Sequence, residues 1–396
     1  MSRNTTSCLV PISTSSGLDL NAYLFLKQKT ARREQKLQTL NKYIEKYSSG
    51  WKKRLELANL LYEKGEWSKA AVEYNQVIQS QPNLIEPRLK LGKILQLTNQ
   101  QEEASLVYSQ ALQLAKKEAT RKHLIGLIEY CKNNVQEAIA ALKEAANLEP
   151  ETVVHWMALG QIQMQEEYLV DALFSFRQIL SLDDHNFMVL IYSYDILLGL
   201  GYLDEAETYL EKAREIAPQD IQTLKRVIDE RYRKKLVLGS EGKETKKLIT
   251  LLQKKAPKTP EINHLLARFY ILRGEKKKGL TISQQLAAEN PHNFYAKYYY
   301  SRCLFELKKY KQAAEVILET YKLSWEKNQH CNRSIYLALC QILPVAGKKE
   351  LVKKIIPEML KLFPNSWHLR TTARRIMVKY FQGQDLDITS LSLTQS

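Results

Sequence analysis

Residues 153–186 read VVHWMALGQIQMQEEYLVDALFSFRQILSLDDHN, a stretch of 34 residues in which apolar side chains recur at helical spacing on both sides of a short polar segment. Five consecutive repeats of this length cover residues 51–220 without insertion or deletion. They begin at Trp51, Ile85, Ala119, Val153 and Phe187. Repetition at this period predicts an array of helical hairpins, because each hairpin needs neighbours to bury its apolar face.

Small and large residues occupy fixed positions of the repeat where two helices must cross closely. Position 8 is small in four repeats and divergent in the fifth: Ala58, Gly92, Gly126, Gly160 and Tyr194. Position 20 is always alanine: Ala70, Ala104, Ala138, Ala172 and Ala206. Position 24 is large: Tyr74, Tyr108, Leu142, Phe176 and Leu210. Position 32 is proline in three repeats, where it ends the preceding helix: Pro82, Pro150 and Pro218.

This pattern of a large residue, Leu-Gly, an alanine, an aromatic residue and a proline resembles the tetratricopeptide repeat (TPR) family. The fourth repeat carries it most fully, with Trp156, Leu159, Gly160, Ala172 and Phe176. The resemblance implies an all-α fold, a right-handed superhelical solenoid of antiparallel helix hairpins with about nine to ten TPR-like repeats. It also implies that other proteins bind in a concave groove.

The register of the repeat divides the chain into segments. The predicted segments are a disordered N-terminal segment (1–16), a degenerate capping hairpin (17–50), five regular repeats (51–220), four divergent repeats with short insertions (221–366), a closing helix (367–381) and a disordered tail (382–396). Two segments, VLGSEGK at 237–243 and KLSWEKNQHCN at 322–332, are interpreted as the insertions. Pro344 and Pro357 are expected to shorten or kink the helices of the last repeat.

Composition limits the class of protein. The chain has only 14 Gly and 11 Pro, which is few for a protein with long loops. Its content of 44% hydrophobic and 26% charged residues is usual for a packed soluble protein. The five cysteines form no CxxC pair, so we expect reduced thiols, no metal and no other cofactor. The chain has no secretory start and no apolar run approaching roughly 18 residues. These features predict a cytoplasmic protein without a membrane span.

Charge is distributed unevenly along the chain. Residues 1–54 have 11 basic and 3 acidic residues, and residues 55–220 have 14 basic and 25 acidic residues. Residues 221–396 have 34 basic and 15 acidic residues, a net charge of +19 within a total of +16. The two ends therefore present opposite fields to partners.

Candidate binding residues follow from the family resemblance, which implies that positions 2, 5, 9 and 12 of each first helix face the groove as one stripe. In the fourth and fifth repeats this stripe is mainly apolar and includes Met157, Gln161, Met164 and Ile191. In later repeats it interleaves basic and aromatic residues: Lys225, Tyr232, His264, Arg268, Tyr295, Tyr298 and Arg302. We expect these residues to contact a partner protein or peptide. An acidic segment suits the basic half, because guanidinium groups pair with carboxylates.

Two alternative interpretations of these residues stay open. The apolar side chains could pack against a neighbouring hairpin, and the basic ones could belong to a generally solvated surface. Further lysines at turns or in second helices are assigned to ordinary solvation: Lys276, Lys277, Lys278, Lys308, Lys309, Lys348, Lys349, Lys353 and Lys354.

The sequence predicts a non-catalytic scaffold or adaptor. It contains no HExxH, GxSxG, GxxxxGK[ST] or GxGxxG motif, and its 7 histidines are scattered. Family members that hold chaperone tails use Lys at position 5 and Asn at position 9. Asn59 matches, whereas position 5 is Leu55. The alternative function is nucleic-acid binding by the basic half, although no polar base-reading position recurs.

Overall fold

The computed structural model describes residues 34–47, 50–98, 100–257, 259–326, 333–363 and 366–381, and in these residues the chain is helical with no strand. The predicted segments 1–16 and 382–396 and the first half of the predicted capping hairpin lie outside the described residues. The described chain forms two compact bodies. The N-terminal body ends at Glu149 and the C-terminal body begins at Pro150.

The helices of the N-terminal body are short and of nearly equal length. They are α1 (residues 34–46), α2 (Trp51–Lys64), α3 (Trp67–Ser80), α4 (Glu86–Leu97), α5 (Gln101–Leu114), α6 (Glu118–Cys131) and α7 (Val135–Leu148). From α2 onward, consecutive helices pack as pairs joined by short turns, which makes the two helices of each pair antiparallel. Helix α3 also contacts α4, and α5 contacts α6, so that the three pairs of this body stack.

The helices of the C-terminal body continue this arrangement. They are α8 (Val153–Gln165), α9 (Leu169–Leu182), α10 (Phe187–Leu200), α11 (Leu203–Ile216), α12 (Ile221–Arg233), α13 (Gly239–Lys255), α14 (Pro260–Leu272), α15 (Lys276–Glu289), α16 (Phe294–Glu306), α17 (Tyr310–Glu326), α18 (Arg333–Val345), α19 (Lys349–Leu362) and α20 (Trp367–Phe381). Pairs run from α8 with α9 to α18 with α19, and α20 packs on the last pair. The all-α fold of antiparallel helix hairpins predicted from the repeat is confirmed.

The crossing of the two helices in a pair explains the small residues at position 8. A Cβ atom added at Gly92 would lie 2.3 Å from the ring of Tyr108, and one added at Gly160 would lie 2.6 Å from the ring of Phe176. Both rings are fully buried. Position 24 of the second helix therefore fills the space that position 8 of the first helix leaves open, and a side chain at position 8 would overpack it.

A residue with left-handed backbone conformation ends most first helices. In α2 this residue is Gly65, and the N–H groups of Gly65 and Glu66 donate to the carbonyls of Tyr62 and Leu61 at 3.0 Å each. The motif satisfies carbonyl groups at the helix end and reverses the chain. The equivalent left-handed residues of later pairs are Asn133, Glu167, Gly201, Lys235, Gly274, Lys308 and Gly347.

The predicted insertions lie partly within helices, and neither predicted proline shortens its helix. Helix α13 begins at Gly239, inside the segment predicted as an insertion, and α17 continues to Glu326, inside the second one. Both helices have 17 residues, so part of the extra length extends a helix instead of a loop. Pro344 and Pro357 lie within α18 and α19 without shortening them, since these helices have 13 and 14 residues. Pro344 is buried within α18.

Distant parts of the C-terminal body touch at the turn between α8 and α9. A carboxylate oxygen of Glu167 lies 3.1 Å from Nη1 of Arg333, the first residue of α18. The other accepts a hydrogen bond from Ser366 Oγ at 2.6 Å, and Ser366 Oγ itself accepts from Leu369 N at the start of α20. A carboxylate is favoured at this position, because the Glu167 side chain lies at the positive N-terminal ends of α18 and α20.

Candidate protein-binding groove

The first helices α12, α14 and α16 contact one another along the C-terminal body. Their facing sides enclose a cavity of about 240 Å³. Its lining residues are Lys225, Asp229, His264, Leu265, Arg268, Tyr298, Tyr299, Arg302 and Glu306. Five of the seven predicted residues of the basic stripe line this cavity: Lys225, His264, Arg268, Tyr298 and Arg302.

Three cations and two carboxylates share this cavity. Arg268 Nη1 lies 3.4 Å from Asp229 Oδ1, and its guanidinium covers the ring of Tyr232 at 5.2 Å from the centroid. Arg302 Nη1 donates to the amide oxygen of Gln341 in α18 at 2.6 Å. The Arg268–Asp229 pair is partly exposed, with side chains 35% and 46% accessible. Such pairs are weak, so an incoming carboxylate can compete for the guanidinium.

His264 is a neutral member of the site. Its ring stacks on Tyr299 with centroids 4.3 Å apart and an angle of 16° between the planes. Burial, and to a smaller degree the charges of Arg268 and Arg302, lower the pKa of His264 to about 3. The imidazole is therefore uncharged at neutral pH and contributes stacking and hydrogen bonding, whereas the arginines contribute the charge.

Cys303 lies beside His264, and this proximity resembles a nucleophile with its base. The thiol Sγ is 3.7 Å from His264 Nδ1. Burial raises the pKa of the Cys303 thiol to about 12, so it stays protonated at neutral pH. Since the imidazole is neutral and a poor base, the pair lacks the thiolate–imidazolium charge that an activated cysteine needs. Its side chains act as packing and hydrogen-bonding groups.

Two predicted groove residues belong to the core. Tyr232 is 3% exposed, and its hydroxyl donates to the Leu265 carbonyl at 2.6 Å. Its ring packs against the Arg268 guanidinium from the core side. Ile191 is 1% exposed and packs with Leu190 and Ala213. The reason is the sequence of α10, FMVLIYSYDILLGL, which is apolar on most sides and buries more than one face.

The remaining predicted residues have intermediate positions. Tyr295 is 42% exposed at the start of α16 and does not line the cavity, although it tilts against the neighbouring Phe294 ring at 4.1 Å. Met157, Gln161 and Met164 are half-buried along α8. Half-burial is compatible both with a binding stripe and with packing against neighbours.

Three residues that line the cavity lie outside the predicted stripe: Leu265, Tyr299 and Glu306. Leu265 and Tyr299 both occupy position 6 of their repeats, next to position 5 of the expected stripe. Positions 2, 6, 9 and 13 share one face of a helix, just as positions 2, 5, 9 and 12 do. A stripe drawn one residue wider would have included all three.

The groove-facing polar residues of the N-terminal body are engaged within it. Asn59, which matched the chaperone-tail pattern, accepts a hydrogen bond from the Tyr74 hydroxyl at 2.6 Å. One repeat later, Tyr108 donates to Gln96 Oε1 at 3.1 Å, and Gln96 Nε2 donates to Cys131 Sγ at 3.3 Å. The position-24 tyrosines thus hold amides on the first helices in place.

The described part of the chain shows neither a candidate metal site nor a candidate membrane span. No group of three or more His, Cys, Asp or Glu side chains there could hold a metal ion. None of the helices within the described ranges combines the length and the apolar character that crossing a bilayer requires.

Family models of known proteins match three segments of the chain. Family models match residues 58–99 (TPR repeat), residues 195–220 (tetratricopeptide repeat) and residues 243–320 (anaphase-promoting complex, cyclosome, subunit 3). No curated protein matches the chain.

Solved structures share the fold. One is the APC/C hetero-tetramer Cut9-Hcn1, with a TM-score of 0.52 and 12% identity over 85% of this chain and 58% of that chain. Another is a tetratricopeptide repeat protein from Parabacteroides merdae, with a TM-score of 0.50 and 16% identity over 66% of this chain and 100% of that chain. The repeat register, the Gly–aromatic helix crossings and the family models agree that residues 58–99 and 195–220 carry tetratricopeptide repeats.

Proposed function

We propose that this protein is a non-catalytic scaffold whose C-terminal body binds an extended acidic segment of a partner protein between α12, α14 and α16. The tetratricopeptide repeats support a role in binding other proteins. The acidic character of the partner and the place where it binds are proposed from the side chains of the cavity.

The observation that carries the proposal is the set of three cations around one cavity. Lys225, Arg268 and Arg302 come from three successive first helices and line the same space of about 240 Å³. A peptide running across these helices would meet one cation from each. Carboxylates spaced along an extended segment can therefore pair with several cations at once, and arginine forks allow two hydrogen bonds to each carboxylate.

The aromatic wall supplies contact area beside the charges. Tyr298 and Tyr299 meet edge to face with centroids 5.2 Å apart, and Tyr299 is fixed by its stack on His264. Rings held in this way lose little conformational entropy when a partner binds. We therefore expect the bound segment to carry apolar residues between its acidic ones.

The test is a double substitution of the two arginines. R268A/R302A removes both guanidinium groups from the cavity without touching a helix crossing. Proteins captured by the wild type from the native host are identified by mass spectrometry, and acidic peptides from them are titrated against both proteins by fluorescence anisotropy. We expect the double variant to weaken peptide binding by a few kcal/mol, because charges desolvated in a complex are costly to lose.

The control is K348A/K349A, which removes the same number of positive charges outside the cavity. If this control weakened peptide binding as much as R268A/R302A does, bulk charge would explain the effect and the groove assignment would be wrong. Sub-micromolar binding of RNA at physiological salt, lost in R268A/R302A, would favour the nucleic-acid alternative instead, since binding to a phosphate backbone falls steeply with salt.

A further inference from the structure

The second helices of the pairs begin in two different ways. In α5, α7, α9 and α11 the first turn contains acidic residues, which suit the positive N-terminal end of a helix. In α3, α15 and α17 the first turn contains no acidic residue, and α15 begins with Lys276, Lys277 and Lys278. Helices α13 and α19 have Glu241 and Glu350 in this turn. Lysines at this end oppose the helix dipole, although Lys278 lies over the Tyr270 ring at 3.9 Å from the centroid.

The change recurs in three successive pairs. Over seven equivalent residues, counted from the residue before the left-handed one, residues 273–279 and 307–313 have a net charge of +3 each, and residues 346–352 have a net charge of +1. The equivalent residues 166–172 and 200–206 have net charges of −3 and −2. Most of these lysines are exposed, including Lys276, Lys277, Lys309 and Lys349. Glu275 and Glu350 pair with neighbouring basic residues, and a basic excess is left at each turn.

These turns lie along one edge of the C-terminal body. The first helices α14, α16 and α18 contact one another in sequence and each leads into an equivalent turn. Because the pairs stack with their first helices side by side, their turns follow one another at the same edge. The lysines of the three turns, which we name the basic edge, therefore present one continuous positive surface.

Exposed aliphatic side chains accompany the lysines. Leu272 and Val345 lie at the ends of α14 and α18, just before the turns, and Leu351 lies in the first turn of α19. They are 40%, 41% and 37% exposed. Leu238 precedes α13 at the preceding turn and is 64% exposed. The edge thus combines lysines with aliphatic groups that the core leaves uncovered.

We propose that the basic edge binds the surface of a membrane rich in anionic lipid. Lysines attract an anionic leaflet, while exposed leucine and valine side chains enter the boundary between headgroups and acyl chains. The exposed aliphatic side chains favour lipid over nucleic acid, because leucine and valine neither pair with a phosphate backbone nor stack on bases. The proposal is independent of peptide binding in the groove.

Vesicle flotation with the full-length protein tests the proposal. Vesicles of phosphatidylcholine alone are compared with vesicles of equal parts phosphatidylcholine and phosphatidylglycerol. We expect binding only to the anionic vesicles, and we expect K276Q/K277Q/K309Q to reduce it on the order of tenfold or more. The matched control K254Q/K255Q/K361Q removes three exposed lysines from the last turns of second helices, at the opposite edge, and should bind as the wild type does.

A second variant separates lipid from nucleic acid. Leu238 is the N-cap residue of α13 and makes no capping hydrogen bond, so Leu238→Asn supplies a good cap and should not weaken the fold. We expect it to reduce vesicle binding, because an apolar group is lost. Failure to bind anionic vesicles, equal loss in the control, or tight binding of polyuridine RNA that L238N leaves unchanged would each overturn the proposal. Circular dichroism confirms that every variant stays helical.

Discussion

At the scale of single residues, the contact between positions 8 and 24 decides what each repeat tolerates. Gly160 lies against Phe176, where an added Cβ would approach the ring to 2.6 Å. Gly199 in α10 is exposed, and the nearest atom to an added Cβ there is 3.7 Å away. The same substitution should therefore have opposite effects at two glycines of the same body.

We predict that Gly160→Ala lowers the free energy of unfolding by about 1 to 3 kcal/mol, because the methyl group overpacks the crossing of α8 and α9. Gly199→Ala should raise it by roughly 0.5 to 1 kcal/mol, since alanine restricts the unfolded chain and favours the helix. Urea unfolding followed by circular dichroism measures both changes. A destabilising Gly199→Ala of equal size would show that close packing at position 8 is not the cause.

His264 gives a residue-scale prediction about pH. Burial lowers its pKa from 6.5 to about 3 in the native state. Between pH 6.5 and about 5, the unfolded side chain gains a proton that the native one does not bind, so the free energy of unfolding decreases as pH falls. We expect His264→Gln to show a smaller decrease across this window in urea titrations. A His264→Gln variant that keeps the wild-type slope would show that burial of this imidazole is not the cause.

At the scale of helices, the turn after each first helix needs a left-handed residue, and lysine fills it at Lys235 and Lys308. We predict that Lys308→Gly raises the free energy of unfolding by about 1 kcal/mol, because glycine adopts this conformation without strain. Gly274→Lys, at φ of 87°, should lower it by a similar amount. Thermal unfolding checks both. A neutral result for both variants would mean that the turn, not the residue, sets the conformation.

The helices also show which parts of the structure the sequence could predict. The regular repeats were predictable because position 8, position 20 and position 24 constrain one another across each crossing. The longer α13 and α17 were not, since glycine in VLGSEGK favours a turn locally and only packing extends the helix to Gly239. The groove was predicted in part. Tyr232 was predicted to face the groove. Its hydroxyl donates to the Leu265 carbonyl, and its ring is buried in the core.

At the scale of the whole C-terminal body, Glu167 connects α8 and α9 to α18 and α20, 166 or more positions away in sequence. Helix stacks usually transmit stability only from neighbour to neighbour. A contact that joins distant pairs should instead couple their unfolding. The Glu167 and Arg333 side chains are 14% and 31% exposed, so this pair is shielded from water more than the surface pairs of the same body.

We predict a measurable coupling between Glu167 and Arg333 in a double-mutant cycle with Glu167→Gln and Arg333→Gln, on the order of 1 kcal/mol for a partly buried, hydrogen-bonded pair. The exposed pair Glu211–Arg214, within α11, is the control and should give about 0.3 to 0.5 kcal/mol. Because Glu167 also holds Ser366 at the start of α20, Glu167→Gln should speed hydrogen exchange in the first turns of both α18 and α20. Faster exchange at α18 alone, or a coupling no larger than the control, would mean that the two ends of the body unfold independently.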